Sequence, residues 1–571
     1  MTSTESAIST TAARSGAEQA AHQRLFNTYL RESGTPPTAT DDGLGRIDLP
    51  TAGTALIVAV RHHSVFGHHD YGDEVWREQA DGSRVSVDHD ELVRLLLDEV
   101  AAVAAKEFDT VPDAADRKRT LAEQVESSIA ATARYLGRPR PPRPDDPREL
   151  TRHAEQSLLL GHAFHPTPKS TQGFGDDLEA YAPELGAAFV PHWFAVARRI
   201  LLERRMAPGA WTPEPVTAAA QRVFGDGQAA YALLPVHPWQ ARYLLNQPRV
   251  AELAADGRLV PLGPLGAEVY PTSSVRTVCD PGFPTSWKLP LHVRITNFVR
   301  NNPVPHLGRA TDAGALVAEL APGWDHPGFG ALLESGFRTV DPAVVGDDLA
   351  ADFSVLYRDN PFADGSAAPR VLAGLLEDRQ GDVPDLIHEV RRCAPEPCGS
   401  PNADHVAEWL SRYLGISLLP LLKIFEHDGV SFEAHAQNSL LHTEGGWPTR
   451  FWVRDMEGTS VSRQRLRRGT VPQDSPLLYD DDEAWLRLRY YAVTNHVGHL
   501  ISVLGQYTDA GERLLWRAAR ETLAAGRSET AADLLQRPVL PAKANLVSYF
   551  AGRGENPLYV EVPNLLFEVN R

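Results

Sequence analysis

Residues 54–60 (TALIVAV) form an apolar run too short for a helix and rich in β-branched side chains, which predicts a buried strand. Residues 91–106 (ELVRLLLDEVAAVAAK) and 119–136 instead place their apolar positions at helical spacing. A proline-rich stretch at 137–148 (GRPRPPRPDDPR) interrupts the pattern, and a helix is expected over 149–160. From there to about 390 the pattern alternates. Helices are expected over 179–202 and 239–247, and strands at 231–236 and 289–295. A second break lies at 394–402 (APEPCGSPN). Beyond it the pattern predicts a helix over 406–425, a hairpin-like pair at 429–441 and 450–455, and helices through 482–536. No internal repeat or heptad array is present. The first eighteen residues are small and polar and read as a frayed tail. The breaks therefore divide the chain into a tail (1–18), an N-terminal unit (19–148), a middle unit (149–393) and a C-terminal unit (394–571).

Composition narrows the classes. A hydrophobic content of 43% over 571 residues is ample for real cores. No run approaches the ~20 apolar residues of a membrane span, and the N-terminus lacks the apolar region of a secretory signal. Cys279, Cys393 and Cys398 have neither metal-site spacing nor the number for a disulfide framework, so a reducing cytoplasm is expected. A net charge of −18 opposes a nucleic-acid partner, which needs a basic face. Only six of the 56 basic residues are lysines: Lys106, Lys118, Lys169, Lys288, Lys423 and Lys543. A lysine retained against that bias supplies a compact ammonium where a planar guanidinium would not serve.

Three of those lysines fall in motifs. GHAFHPTPKSTQGF at 161–174 is too rich in proline and glycine for regular structure. The helix before it would end at Gly161 as a C-cap. His165, Lys169 and Ser170 or Thr171 then present donors on a stiff turn, either a solvated surface turn or one that grips phosphate oxygens. YPTSSVRTV at 270–278 crowds Ser273, Ser274, Arg276 and Thr277 together, suited to an anion or to solvent. In SWKLPLHVRITNFVRNNP at 286–303, alternation puts Leu289, Leu291, Val293 and Ile295 on one strand face and Lys288, His292, Arg294 and Thr296 on the other, with Arg300 following. That second face meets anions, or is a wet edge.

VSFEAHAQNSLL at 430–441 places Glu433, His435 and Gln437 on one face of an expected interior strand, where a ligand would satisfy them. The returning strand FWVRDMEG brings Asp455 and Glu457, and Glu433 and Asp455 can meet near one end of the hairpin. Glu433, Asp455 and Asn438 are hard oxygen donors suited to Mg²⁺; a structural ion pair of Asp455 with Arg454 or a neighbour is the alternative. Lys543, in LLPAKANLVSYF, is expected on a helix. RHHSVFGHHDYGDE at 61–74 is dense in histidine (His62, His63, His68, His69, with Asp70 and Asp73), but HH-x₄-HH matches no common zinc spacing. It reads as a polar loop near a site mouth.

Taken in order, GHxxHPxxKxxxGF, LPVHPWQ at 234–240, PTSSVRT, KLPLHVRITNFVR, EAHAQN and RDMEG resemble the IucA/IucC family of NRPS-independent siderophore synthetases over roughly 150–560. The resemblance implies an α+β hand-like fold of thumb, fingers and palm, with antiparallel sheets, helical bundles and a palm distantly like that of kinases. It implies a cytoplasmic, dimeric ligase of iron acquisition. Such an enzyme adenylates a carboxylate, usually of citrate, with ATP and Mg²⁺. An amine, amino acid or amino alcohol then displaces AMP. By motif, His165, Lys169, Ser170, Ser274, Arg276, Thr277 and Lys288 would grip ATP. Thr296, Arg300, His435, Gln437 and Lys543 would surround the carboxylate, with Arg300, His435 and Lys543 nearest the chemistry. Glu433, Asn438 and Asp455 would hold the metal. The sequence departs from the family at Ala163, where proline is common, and at Thr171, where arginine is. Arg553 is a loose match to a C-terminal arginine. The wording HPTPKS is most like the citrate-using type A branch. A different carboxylic acid, a kinase-like phosphotransferase and a non-catalytic carboxylate binder are the other readings.

Overall fold

The computed structural model describes residues 3–569 apart from 110, 112, 140, 297, 379–381, 395–400, 470 and 554–555. The chain opens on a long helix, Ser3–Ser33, so the expected tail at 1–18 is helical from Ser3. The helix is held because Ala13, Ala17 and Ala20 are small enough to let it lie close, and Leu25, Phe26, Tyr29 and Leu30 are buried behind them. Arg14 also grips Glu126, on helix Ala114–Leu136, through both its Nη atoms at 2.6 and 2.7 Å.

A five-stranded antiparallel meander follows, with Thr54–His62 at its centre. Helices His89–Glu107 and Ala114–Leu136 pack on it. The core they build takes in Ala544, Leu546, Val547 and Phe550 from near the C-terminus. Two further sheets make the middle of the molecule. One orders Leu259–Pro264, His192–Ala197 and Tyr231–Val236. The other has six strands, with Thr285–Lys288 and Val355–Asp359 at its centre. The C-terminal portion is helical around the hairpin Ser439–Glu444 and Trp447–Val453, and holds the largest core.

Several expected elements fail for local reasons. The helix at 149–160 is Pro147–Gln156, so Gly161 does not cap it. The expected helix at 179–202 is broken by Pro183 and Gly186, whose φ is +76°, and the apolar run HWFAVA after Pro191 becomes the strand His192–Ala197. Residues 406–425 form two helices, Ala403–Ile416 and Leu418–Asp428, parted at Ser417 (φ −119°, ψ −81°). Pro290 divides the strand at 288–296. Lys288 ends Thr285–Lys288, whereas Leu291–Ile295 alternates buried and exposed and turns Arg294 to solvent. Residues 432–438 are no strand. Only Val430–Ser431 joins a ladder, and the chain then turns through His435 N–H to Glu433 O (3.0 Å) and Asn438 N–H to His435 O (2.9 Å). Lys543 ends a strand, Val539–Lys543, rather than lying on a helix. Most of the break at 394–402, including Cys398, lies outside the described residues. No helix among the described residues is long and apolar enough to cross a membrane.

Candidate active site

A cavity of about 410 Å³ opens where the middle sheets, the loop after Gly161 and the C-terminal hairpin converge. Every expected site residue except Ser170 lines it. Ser170 is buried beneath, and its carbonyl accepts the Thr296 N–H at 2.9 Å, tying the loop to the strand Leu291–Ile295. Thr171 takes the place at the cavity wall.

The first wall is the loop itself. Gly161 has φ +75°, and a Cβ there would lie 2.9 Å from Pro168 and 3.2 Å from the Lys169 Cε, so glycine is required. Lys169 is buried and donates to Leu158 O and to Glu184 Oε1, both at 2.5 Å. Behind it, buried Glu155 accepts from Ser273 N (3.0 Å) and Ser273 Oγ (2.8 Å) and pairs with Arg454. One carboxylate thus locks the second wall to the hairpin end.

The second wall is the turn 272–277. Val275 N donates to Thr272 O (2.8 Å) and Ser274 Oγ accepts from Thr277 N (3.1 Å). Four described non-glycine residues have positive φ, and three of them, Val275 (68°), Thr296 (56°) and Asp455 (70°), line this cavity. Left-handed backbone is costly for β-branched residues, and such strain concentrates at functional sites.

Cations dominate the interior. Lys288 Nζ reaches Asp455 Oδ1 at 2.7 Å and Glu457 Oε2 at 3.0 Å. Burial pushes the Asp455 carboxyl up, but Lys288 and Arg358 outweigh it and hold it at about 2. Arg276, Arg300 and Lys543 have no carboxylate in ion-pair range among the described residues. Arg276 donates to the carbonyls of Arg300 and Asn301, both at 3.3 Å, and to the Asn302 side chain. Arg300 Nη2 donates to Ile295 O (3.0 Å) and Thr296 Oγ1 (2.8 Å). Lys543 Nζ donates to Tyr491 OH (2.7 Å) and lies over the Tyr490 and Tyr491 rings. All three are pushed below their ordinary values, first by burial. Arg300 falls to about 10, with repulsion from Arg276 contributing.

The third wall is the turn 433–438 with the π-helical stretch Arg489–Val497, which carries Tyr490, Tyr491 and Asn495. A π-bulge often marks a functional position. His435 Nδ1 accepts the Gln437 N–H at 3.2 Å, which leaves the proton on Nε2, 4.0 Å from Glu433. Burial pushes this imidazole down, so it is neutral near pH 7. Arg358, Glu184 and the two tyrosines carry no local sequence signal, and only packing brings them here. Arg454, the expected partner of Asp455 in the ion-pair alternative, pairs with Glu155 instead, and Asp455 meets Lys288 and Arg358. Arg553 lies over Phe108, outside the cavity.

The histidine-dense segment is packed inward. His62 Nε2 meets Glu512 at 3.0 Å and His68 stacks on His499 at 5.0 Å. Among the described residues no group of three or more His, Cys, Asp or Glu side chains could hold a metal ion.

The sequence profile described as the IucA / IucC family matches residues 150–377. The chain is 34% identical over 572 residues to a Staphylococcus aureus L-2,3-diaminopropanoate–citrate ligase, covering 96% of each. The chain belongs to the IucA/IucC family. It is therefore a siderophore synthetase, a ligase. A Bacillus anthracis spermidine–citrate ligase is a further relative, 31% identical over 72% of this chain and 73% of its own. A second profile, described as a ferric iron reductase FhuF-like transporter, matches residues 407–558. The IucA/IucC fold is shared with the solved ATP-bound aerobactin synthetase IucA of a hypervirulent Klebsiella pneumoniae pathotype, with TM-score 0.81, 24% identity, and 96% and 99% of the two chains covered.

Proposed function

We propose that this synthetase joins citrate to an amine with ATP as the activating substrate, in the manner of the type A branch. A citrate carboxylate oxygen attacks the α-phosphorus of ATP, the bond to the bridging oxygen breaks, and pyrophosphate leaves. The amine nitrogen then attacks the acyl carbon, the acyl C–O bond breaks, AMP departs with the electron pair, and the nitrogen loses a proton to solvent. Both halves need anions held close together, which water opposes and preorganised cations permit.

His165, Lys169, Ser274, Arg276, Thr277 and Lys288 receive the triphosphate in this reading, with Ser170 fixing the loop from beneath. Thr296, Arg300, His435, Gln437 and Lys543 receive the carboxylate and the charge that develops at the leaving phosphate. Neutral His435 donates its Nε2–H rather than acting as a base. The donors Glu433, Asn438 and Asp455 line one cavity, and their two carboxylates and one amide oxygen suit Mg²⁺, which supplies charge neutralisation of the phosphates when bound. A reducing compartment such as the cytoplasm suits the chain, since Cys279 and Cys393 are free thiols.

The observation that carries the reading is the set of desolvated cations, Arg276, Arg300 and Lys543, converging on one cavity without carboxylate partners among the described residues. The test is pyrophosphate release by the purified protein with Mg-ATP and citrate, followed by AMP release on adding an amine. Arg300→Gln should slow citrate-dependent pyrophosphate release roughly 10²–10³-fold. No pyrophosphate with citrate, or ADP in place of AMP, overturns the proposal.

A further inference from the structure

The stretch quoted at 286–303 ends in Asn301, Asn302 and Pro303, between the strand Phe298–Arg300 and the helix Val304–Leu320. Asn302 does not line the cavity, yet it is 2% exposed and ties three segments together. Its backbone N–H donates to Ala351 O at 3.3 Å. Its Nδ2 donates to Lys288 O at 3.4 Å, and its Oδ1 accepts from Arg276 Nη1. The amide fits only one way round. A guanidinium has donors alone and needs the oxygen, whereas the Lys288 carbonyl has lone pairs alone and needs the N–H. The carbonyl oxygens of Arg300 and Asn301 complete the cradle, accepting from the same Nη1 at 3.3 Å each. Arg276 is also anchored through its backbone, since its carbonyl accepts the Leu289 N–H at 2.9 Å and Thr277 pairs with Lys288. One buried side chain thus sets Arg276, the end of the Lys288 strand and the segment after Arg300 against one another.

The neutrality of this cradle separates Arg276 from its neighbours. Arg358 meets Glu334 at 2.7 Å, Lys288 meets Asp455 and Glu457, and Arg454 meets Glu155. Each of those charges has a carboxylate in contact. Arg276 is held by two backbone carbonyls and an amide, which are dipoles: they orient the guanidinium and leave its unit charge in place. The carboxylates of Glu457 and Asp455 act on it only at longer range. An aspartate at 302 would keep the shape of the side chain and change its charge. It would pair with Arg276 directly and set an oxygen, in place of an N–H, against Lys288 O.

We propose that Asn302 is a positioning residue for the nucleotide: its neutral amide aims Arg276 into the cavity and leaves the guanidinium charge free for the triphosphate. Asn302 touches no ligand and acts through Arg276. The inference rests on the reading of Arg276 as a triphosphate contact. It adds that the site requires an uncharged acceptor at 302, so the charge of that side chain, more than its size, governs nucleotide affinity.

The test measures the dissociation constant of Mg-ATP by calorimetry for Asn302→Asp and Asn302→Ala, each with Arg276 intact and with Arg276→Gln, alongside urea denaturation of every variant. With Arg276 intact, Asn302→Asp should weaken binding about tenfold or more. Asn302→Ala should weaken it by less, about two- to fivefold, because it removes one acceptor and adds no charge. In the Arg276→Gln background each substitution should change binding by less than about twofold, since the group it acts through is gone. A purely structural asparagine would instead weaken binding in step with the loss of stability, by the same factor in both backgrounds. If Asn302→Asp does not fold, the alanine pair decides by that comparison of backgrounds. Alanine as harmful as aspartate, equal factors in the two backgrounds, or an Arg276→Gln protein that binds Mg-ATP as the parent does overturns the inference. A parent that binds Mg-ATP but releases no pyrophosphate with citrate overturns the citrate-ligase reading and not the role of Asn302.

Discussion

Lys288 is where structure and charge meet most tightly. It is almost wholly buried, and its ammonium faces two carboxylates at 2.7 and 3.0 Å. Removing it leaves Asp455 and Glu457 close together without their main counter-charge, which is the expensive way to break a buried pair. Lys288→Met should therefore lose roughly 3 kcal/mol of stability in chemical denaturation. Adding Asp455→Asn should return part of that, because it removes one of the two repelling charges. Arg300 differs in kind. Among the described residues it donates to Ile295 O and Thr296 Oγ1 and has no carboxylate partner, so under the proposed function its loss should be felt in rate. Both residues stand in one quoted motif, and their chemistry is readable there. Their different partners are not, since Asp455 and Glu457 arrive from more than 160 positions away.

Among elements, the helix Asp385–Arg392 hangs on Glu389, whose side chain is fully buried. It accepts from Arg370 Nη1 at 2.8 Å and Thr443 Oγ1 at 2.7 Å and pairs with Arg143 at 2.7 Å, so the helix, the proline-rich stretch and the C-terminal sheet share one carboxylate. Burial raises its pKa, but these partners outweigh burial and bring it down from 4.5 to about 2. A depressed folded-state pKa contributes stability above the unfolded value and loses it as pH falls through the folded one. Glu389 should thus supply roughly 3 kcal/mol above pH ~5, fading towards pH ~2. Denaturation of Glu389→Gln and the parent should differ by that amount at neutral pH and converge in acid. Elsewhere, the expected elements held where periodicity was long, as in His89–Glu107 and Ala114–Leu136. They failed at Pro183, Pro290 and the turn after Ser431, where one residue's backbone geometry or a ligand-facing side chain overrides a short apolar pattern.

Across the whole molecule, the two ends of the chain are one structural unit. Glu32, closing the first helix, accepts the N–H groups of Leu546 and Val547 at 2.8 Å each, just beyond Lys543. Glu512 likewise takes His62, Ser64 and Val65 at 3.0 Å, binding the first sheet to the helix Glu512–Ala525. Lys543 is therefore positioned partly by a helix whose first half, up to residue 18, reads as a tail. Glu32→Ala should cost about 1–3 kcal/mol locally by leaving two buried donors unmet. Amide exchange at Leu546 and Val547 should speed up, and pyrophosphate release should fall although Glu32 does not line the candidate active-site cavity. Unchanged exchange at those amides would show that the C-terminal segment holds itself.

The sequence by itself determined which residue types would carry the chemistry. Donors clustered within a few positions, such as Ser274, Arg276 and Thr277, read as suited to an anion or to solvent, and six ordered motifs were enough to place the chain in its family. Only the tertiary structure decided which charges have a carboxylate partner and which, among the described residues, have none. Compensation depends on distance in space: Lys169 found Glu184 and Lys288 found Asp455, while Arg276 from a turn and Arg300 and Lys543 from two separate strands were drawn into one desolvated cavity. Asn27 is an ordinary polar residue in sequence, and only folding buries it with its Oδ1 unpartnered among the described residues.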